Sequence, residues 1–322
     1  MREDISAMPI LTPDYKAPKW LPGAHLQTVI PARFFPRPEI HYRRELIDMP
    51  DGDFMIFDWA TPEPSDLTAP LLVHFHGLEG SSESHYAEAL MRYAADKGWR
   101  GVVAHFRCCG GLPNRLPRAY FAGDTADNSW ALKTVAARYP EAPLYAVGVS
   151  LGGNQLSKCL GDLGSDASFL TAAVSVGAPV DLVAGSEIVS LGANKLYAEM
   201  FLSTLKEKVL EKARRFPDLI DENVVKNCST LYDFDSIYTA PIHGFKSAMD
   251  YWMRLTPKMI RFCRCGLCPG KRMYRPTCIW SSPKRAGTLV SREATPRATS
   301  FICPNTSLPF SRALPRTPIT WA

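Results

Sequence analysis

After His243 the 322-residue chain holds no histidine, and after Asp250 its only carboxylate is Glu293. This excludes an imidazole general base from the last 79 residues and leaves two acids there, Asp250 and Glu293, to orient anything. Long apolar runs are scarce as well. Nowhere do about 18 apolar residues follow one another, so a membrane-spanning helix is not expected. The opening MREDISAMPILTPDYK has acids and no apolar stretch, which argues against a signal peptide and makes the cytoplasm the expected compartment. Nine cysteines, an odd number without an export signal, favour reduced thiols over a disulfide framework.

What is present is a folded globular composition, 46% hydrophobic, with a formal net charge of +5 that is unevenly spread. From Leu255 to Ala322 there are twelve Lys or Arg against Glu293 alone, a net +11. Residues 1–254 keep 25 basic and 31 acidic side chains, a net −6. Residues 255–322 also carry nine prolines and no apolar period, a composition that buries too little to fold alone.

Two β-like runs, EIHYRRELIDM and FMIFDWAT, flank Pro50-Asp51-Gly52-Asp53 and predict a hairpin over residues 39–60. The pattern then alternates. PLLVHFHG (70–77), GVVAHF (101–106), LYAVGV (144–149) and FLTAAVSVGAP (169–179) read as buried strands, separated by helices near 84–97, 125–138 and from Leu151. Apolar strands without polar alternation, joined by helices, predict an α/β fold with a mostly parallel sheet covered on both faces. Residues 180–252 hold LGANKLYAEMFLSTLKEKVLEKARRF with helical spacing and read as a helical lid.

Within YAVGVSLGGN, Gly148-Val149-Ser150-Leu151-Gly152 fits G-x-S-x-G between a strand and a helix. That context makes Ser150 the candidate nucleophile, against the bland alternative of an ordinary turn serine. An attacked carbonyl needs backbone N–H donors for its oxyanion. Leu151, first in the following helix, is one candidate donor. Leu78, in the loop HGLEGSS after an earlier strand, is the other.

HGLEGSSESHYAEAL, HFRCCGGLPNRLPRAYFAGDTAD, GVSLGGNQLSKCLGD and the upstream GAHLQTVIPARFF together resemble the YheT-like branch of the α/β-hydrolase superfamily, esterases and acylglycerol lipases. The resemblance runs from about Trp20 to Tyr251, where FDSIYTAPIHGFKSAMDYW is similar to the end of that family's lid. It implies an α/β-hydrolase fold with a helical lid and a serine hydrolase for small-molecule carboxylic esters, working without metal or organic cofactor. Cys108 is a departure, since the family commonly has glycine there. The resemblance also implies a catalytic Asp beyond the lid and a His near the C-terminus, and this chain has neither. The triad Asp and His therefore stay unassigned. His243 lies in the lid-like segment. His76 and His85 flank the loop of Leu78 and read as structural, and Asp124 and Asp127 read as the start of a helix.

Composition, charge and resemblance break together near Arg254–Lys258, which suggests a shift of reading frame there and a non-native segment 255–322. The reading is thus an ester hydrolase impaired by a missing base, with a non-catalytic acyl-binding product as the alternative. Cys263, Cys265, Cys268 and Cys278 fit no usual zinc spacing. The twelve cations lack the interleaved aromatics of a nucleic-acid site. No protein partner is indicated.

Overall fold

The computed structural model describes residues 17–263, 278–281 and 289–290. Helix α1 (Gly23–Phe34) leads into the hairpin β1 (His41–Asp48) and β2 (Phe54–Thr61), and then strands and helices alternate. They run β3 (Leu71–Phe75), α2 (His85–Asp96), β4 (Arg100–Ala104), α3 (Thr125–Arg138), β5 (Leu144–Val149), α4 (Leu151–Leu163) and β6 (Leu170–Val176). The segment read as a lid is helical: α5 (Leu182–Val189), α6 (Lys195–Arg215), α7 (Glu222–Asn227), α8 (Leu231–Phe234) and α9 (Ala240–Ile242). Helix α10 (Ala248–Cys263) and two short strands, β7 (Cys278–Ser281) and β8 (Leu289–Val290), follow.

Among the described residues the sheet has the order β1-β2-β4-β3-β5-β6-β7-β8. Strands β4, β3, β5 and β6 are parallel, while β1, β2, β7 and β8 join antiparallel. The expected hairpin is present and β2 also pairs with β4, which places it on the sheet rather than beside it. Strand β3 is buried at every position and β5 at all but its last, so each presents apolar side chains to both layers. On one face Phe57, Trp59, Phe75, Leu132 and Leu156 pack together; on the other Met91, Trp99 and Tyr145 do. Phe75 pairs in register with Gly148. Strands β3 and β5 therefore end level, and the loops after them emerge side by side.

Two features differ from the sequence reading. No apolar period predicts α1, because none of its residues is buried. The segment read as a tail from residue 255 is in part continuous with the fold: α10 runs across that point to Cys263, and residues 278–281 pair with β6. Residues 264–277, with Cys265 and Cys268, lie outside the described residues.

Between β4 and α3 the chain has no regular structure and is ordered by buried charge. Arg107 donates to Asp127 at 2.6 and 2.9 Å, to Asp53 at 2.9 Å and to Asp51 at 2.8 Å. Asp53 also accepts from Asn114 and from the Phe54 and Arg115 N–H groups. Asp124 caps α3 and takes two bonds from Arg118, in line with the helix-start reading of the two aspartates. Burial and then the neighbouring Asp127 raise the Asp124 carboxyl to about 7.

Cys108 sits in this loop at φ 63, left-handed backbone that costs a residue with a Cβ about 1–2 kcal/mol. A glycine there adopts the same turn without that cost, which gives the departure at Cys108 a physical meaning. Cys108→Gly is expected to raise stability by about 0.5–1 kcal/mol, the strain relieved less the entropy glycine adds to the unfolded chain. Urea midpoints of the two proteins measure it, and a destabilised variant would show that the Cys108 side chain contributes more than its backbone costs.

Candidate active site

Ser150 occupies the single-residue turn between β5 and α4 with φ 53 and ψ −118. The strained conformation is locked from both sides: its N–H donates to the Val176 carbonyl at 2.8 Å and its carbonyl accepts from the Asn154 N–H at 3.0 Å. Gly148 and Gly152 are required by close approach, because a Cβ on either would run into backbone, that of Gly152 and Gly153 in the first case and of Phe75 and His76 in the second. The side chain that results is exposed. Among the described residues its hydroxyl has no hydrogen-bond partner.

The loop after β3 lies against it. A Cβ built on Gly77 would stand 3.4 Å from the Ser150 Cβ. The Gly77 carbonyl is held by the His76 ring Nδ1 at 2.8 Å and by the Gly80 N–H at 3.0 Å. Since a carbonyl only accepts and the Phe106 N–H reaches His76 Nε2 at 3.2 Å, the proton of this histidine belongs on Nδ1. In a trans peptide the C=O and the next N–H point opposite ways, so the clamp on Gly77 turns the Leu78 N–H away from His76. Among the described residues, neither the Leu78 N–H nor the Leu151 N–H is taken by an acceptor.

The lid is bound directly to this loop. Glu79, at φ 56, accepts from Lys208 of α6 at 2.8 Å and from the Tyr120 hydroxyl at 2.7 Å, and its N–H donates to the same hydroxyl at 3.2 Å. Burial opposes the Lys208 charge, but Cys109 and Glu79 outweigh it and raise its pKa. Lys212 and Arg215, further along α6, donate to the carbonyls of Leu116, Arg118 and Asn114. Cations on one helix thus fasten the lid to two loops at once, a tie for which the sequence gives no local signal.

The chain is 39% identical over 232 residues to the protein named "Putative esterase YheT" of Escherichia coli K12, covering 71% of this chain and 68% of that one. The chain belongs to the YheT-like branch of the α/β-hydrolase superfamily. "Protein abhd-3.2" of Caenorhabditis elegans is 32% identical across 78% of this chain and 67% of its own length. "Monoacylglycerol lipase" of Saccharomyces cerevisiae is 31% identical over 58% of this chain and 43% of its own length. No family profile matches the chain. Among the described residues no helix is long and apolar enough to cross a membrane.

A serine nucleophile needs a base to take its proton, and histidine is the usual one. His25 bonds the Tyr197 hydroxyl, His41 meets Glu39, and His85 packs on Tyr86. His105 bonds Asp58 at 2.8 Å and His74 faces the Val147 carbonyl at 3.2 Å. His243 has a carbonyl at each nitrogen, Thr239 at 2.8 Å and Ala119 at 2.9 Å, so both nitrogens are turned to backbone oxygens and neither hydrogen-bonds Ser150. None of the seven histidines hydrogen-bonds the serine.

Burial lowers His74 from 6.5 to about 4 and holds His76 well below the ordinary value, with neighbouring His105 acting in the same direction. Between pH 6.5 and about 4 the unfolded chain therefore binds protons that the folded one refuses, and acid favours unfolding. Stability is expected to fall as pH drops through this window. His74→Leu, which removes one such group whose Nε2 has no partner, should flatten the fall in urea midpoints between pH 7 and pH 5. An unchanged slope would sink the assignment to His74.

Proposed function

We propose that this chain is a serine carboxylic-ester hydrolase of esterase or lipase type. Ser150 Oγ attacks the ester carbonyl and gives its proton to solvent water, the Leu78 and Leu151 N–H groups bind the oxyanion, and the C–O bond breaks as the alcohol leaves with a proton from solvent, leaving an acyl group on Ser150. Water then attacks that acyl group and releases the acid. The observation that carries the reading is the exposed Ser150 at φ 53, beside two N–H groups that no acceptor takes among the described residues. Relatives named esterase, monoacylglycerol lipase and phospholipase support an ester as the substrate class.

This enzyme works far below its family's rate, because the triad Asp and His are missing. Without them the oxyanion hole and substrate binding still supply about 10³- to 10⁴-fold over water. The break in composition near Arg254 belongs to the same reading: a shift of reading frame has exchanged the family's ending for residues 255–322. An intact frame on re-sequencing the gene would sink that part alone.

The unpaired Ser150 hydroxyl favours one other reading, a non-catalytic protein that binds acyl ligands under the lid. A p-nitrophenyl ester series of increasing acyl length separates the two. Turnover about a thousandfold above the uncatalysed rate is the expected result, and turnover equal to it leaves only the binding protein.

A further inference from the structure

Gly77 has no Cβ and so the widest choice of φ and ψ in the loop that carries the Leu78 N–H. Both peptide planes beside it need an external clamp if that N–H is to stay aimed. The plane after Gly77 is held through its carbonyl by His76 and Gly80. The plane before it is held through the Gly77 N–H, which donates to the Tyr86 hydroxyl at 2.9 Å.

We infer that Tyr86 is a positioning residue for the oxyanion loop: its phenol holds the Gly77 N–H and thereby fixes the direction of the Leu78 N–H beside Ser150. The inference rests on the function proposed above. Tyr86 stands in the first turn of α2 and reaches the loop across nine residues of sequence. Its oxygen fills the inside of the turn, since a Cβ on Gly77 would meet it at 3.3 Å and one on Gly80 at 2.7 Å. At the other end of the loop the Ser84 hydroxyl accepts the Ser81 N–H at 3.1 Å. Burial raises the pKa of Tyr86, so it stays a neutral phenol able to accept the Gly77 N–H.

Without the hydroxyl, the buried Gly77 N–H loses its acceptor, an unpaired state that rotation of the peptide relieves. Rotation there drags the next plane and moves the Leu78 N–H off line. The ring's edge contact with His74, at 5.7 Å between centroids, holds the side chain in place independently of the hydroxyl.

Tyr86→Phe in the full chain is the test, because phenylalanine keeps the ring and removes only the oxygen. Turnover of p-nitrophenyl butyrate above the uncatalysed rate should fall by about tenfold or more, with KM within about twofold and the thermal midpoint unchanged; loss of one oxyanion donor outright costs about 10²–10³. Turnover equal to that of the unmodified chain overturns the inference and leaves the proposed function standing. A fall accompanied by matching changes in KM and thermal midpoint also overturns it, since that pattern describes a residue that merely packs. An unmodified chain that never exceeds the uncatalysed rate refutes the proposed function, and the role of Tyr86 with it.

Discussion

Joining residues 1–254 to the corresponding C-terminal segment of the Escherichia coli relative is expected to raise kcat for p-nitrophenyl esters by about 10³-fold or more. The expectation follows from how triad residues act. Removing one member costs nearly as much as removing them all, up to about a millionfold in a worked protease, so restoring the missing ones recovers most of the loss in a single step. It also follows from the state of Ser150, which is exposed, held at φ 53 and without a hydrogen-bond partner among the described residues. The same logic makes Ser150→Ala informative in two backgrounds. In the chimera it should remove essentially all of the gain. In the chain as it stands it should also remove the turnover carried by the Ser150 acyl-enzyme, and hydrolysis indifferent to the change would defeat the proposed function. A chimera that folds, by circular dichroism, yet hydrolyses no faster than the parent would end the argument that a lost base limits this protein.

Arg107→Ala is expected to lower stability by about 3–5 kcal/mol, the range for removing one partner of a buried ion pair. Arg107 is buried and bonds Asp53 and Asp127, both buried, and half-exposed Asp51. Burial opposes its charge, but the surrounding carboxylates, Asp127 foremost, outweigh that and raise its pKa. Truncation leaves those carboxylates in a low dielectric beside Asp124, which burial and then Asp127 already keep hard to ionise. For a domain of this size the loss corresponds to a thermal midpoint lower by roughly 10 °C. Arg254→Ala is the control: its 2.8 Å bond to Asp250 lies at the surface, where water screens the pair, and its loss should leave the midpoint nearly unchanged. Equal midpoints for the two variants would show that the Arg107 cluster is as well solvated as the surface pair.

The parts of this protein that sequence discloses are those made by local pattern. The apolar runs that became β3 and β5 have no polar alternation, and burial on both faces is the physical cause of that pattern. The glycines around Ser150 were legible for the same reason, since the strand, turn and helix they serve are adjacent in the chain. Leu78 was legible only as far as its loop followed a strand. Its aim depends on His76 reaching Phe106 across 30 residues and on the phenol of Tyr86, pairings with no period to betray them. Arg107 reaches Asp53 across 54 residues, and Lys208 reaches Glu79 across 129. Helix α1 escaped because its GAHLQTVIPARF buries no face, and α10 because Pro257 reads as an end while the helix runs on to Cys263.

The central claim is that the fold has kept its nucleophile at Ser150 and lacks the base to activate it. Intact mass after treatment with a fluorophosphonate tests this most directly, since the reagent adds to a serine once a base has activated it. The chain itself should stay at its untreated mass, the chimera should gain one adduct mapped to Ser150, and its Ser150→Ala form should gain none. An adduct at Ser150 on the unaltered chain would contradict the account, because some residue would then already be completing the triad.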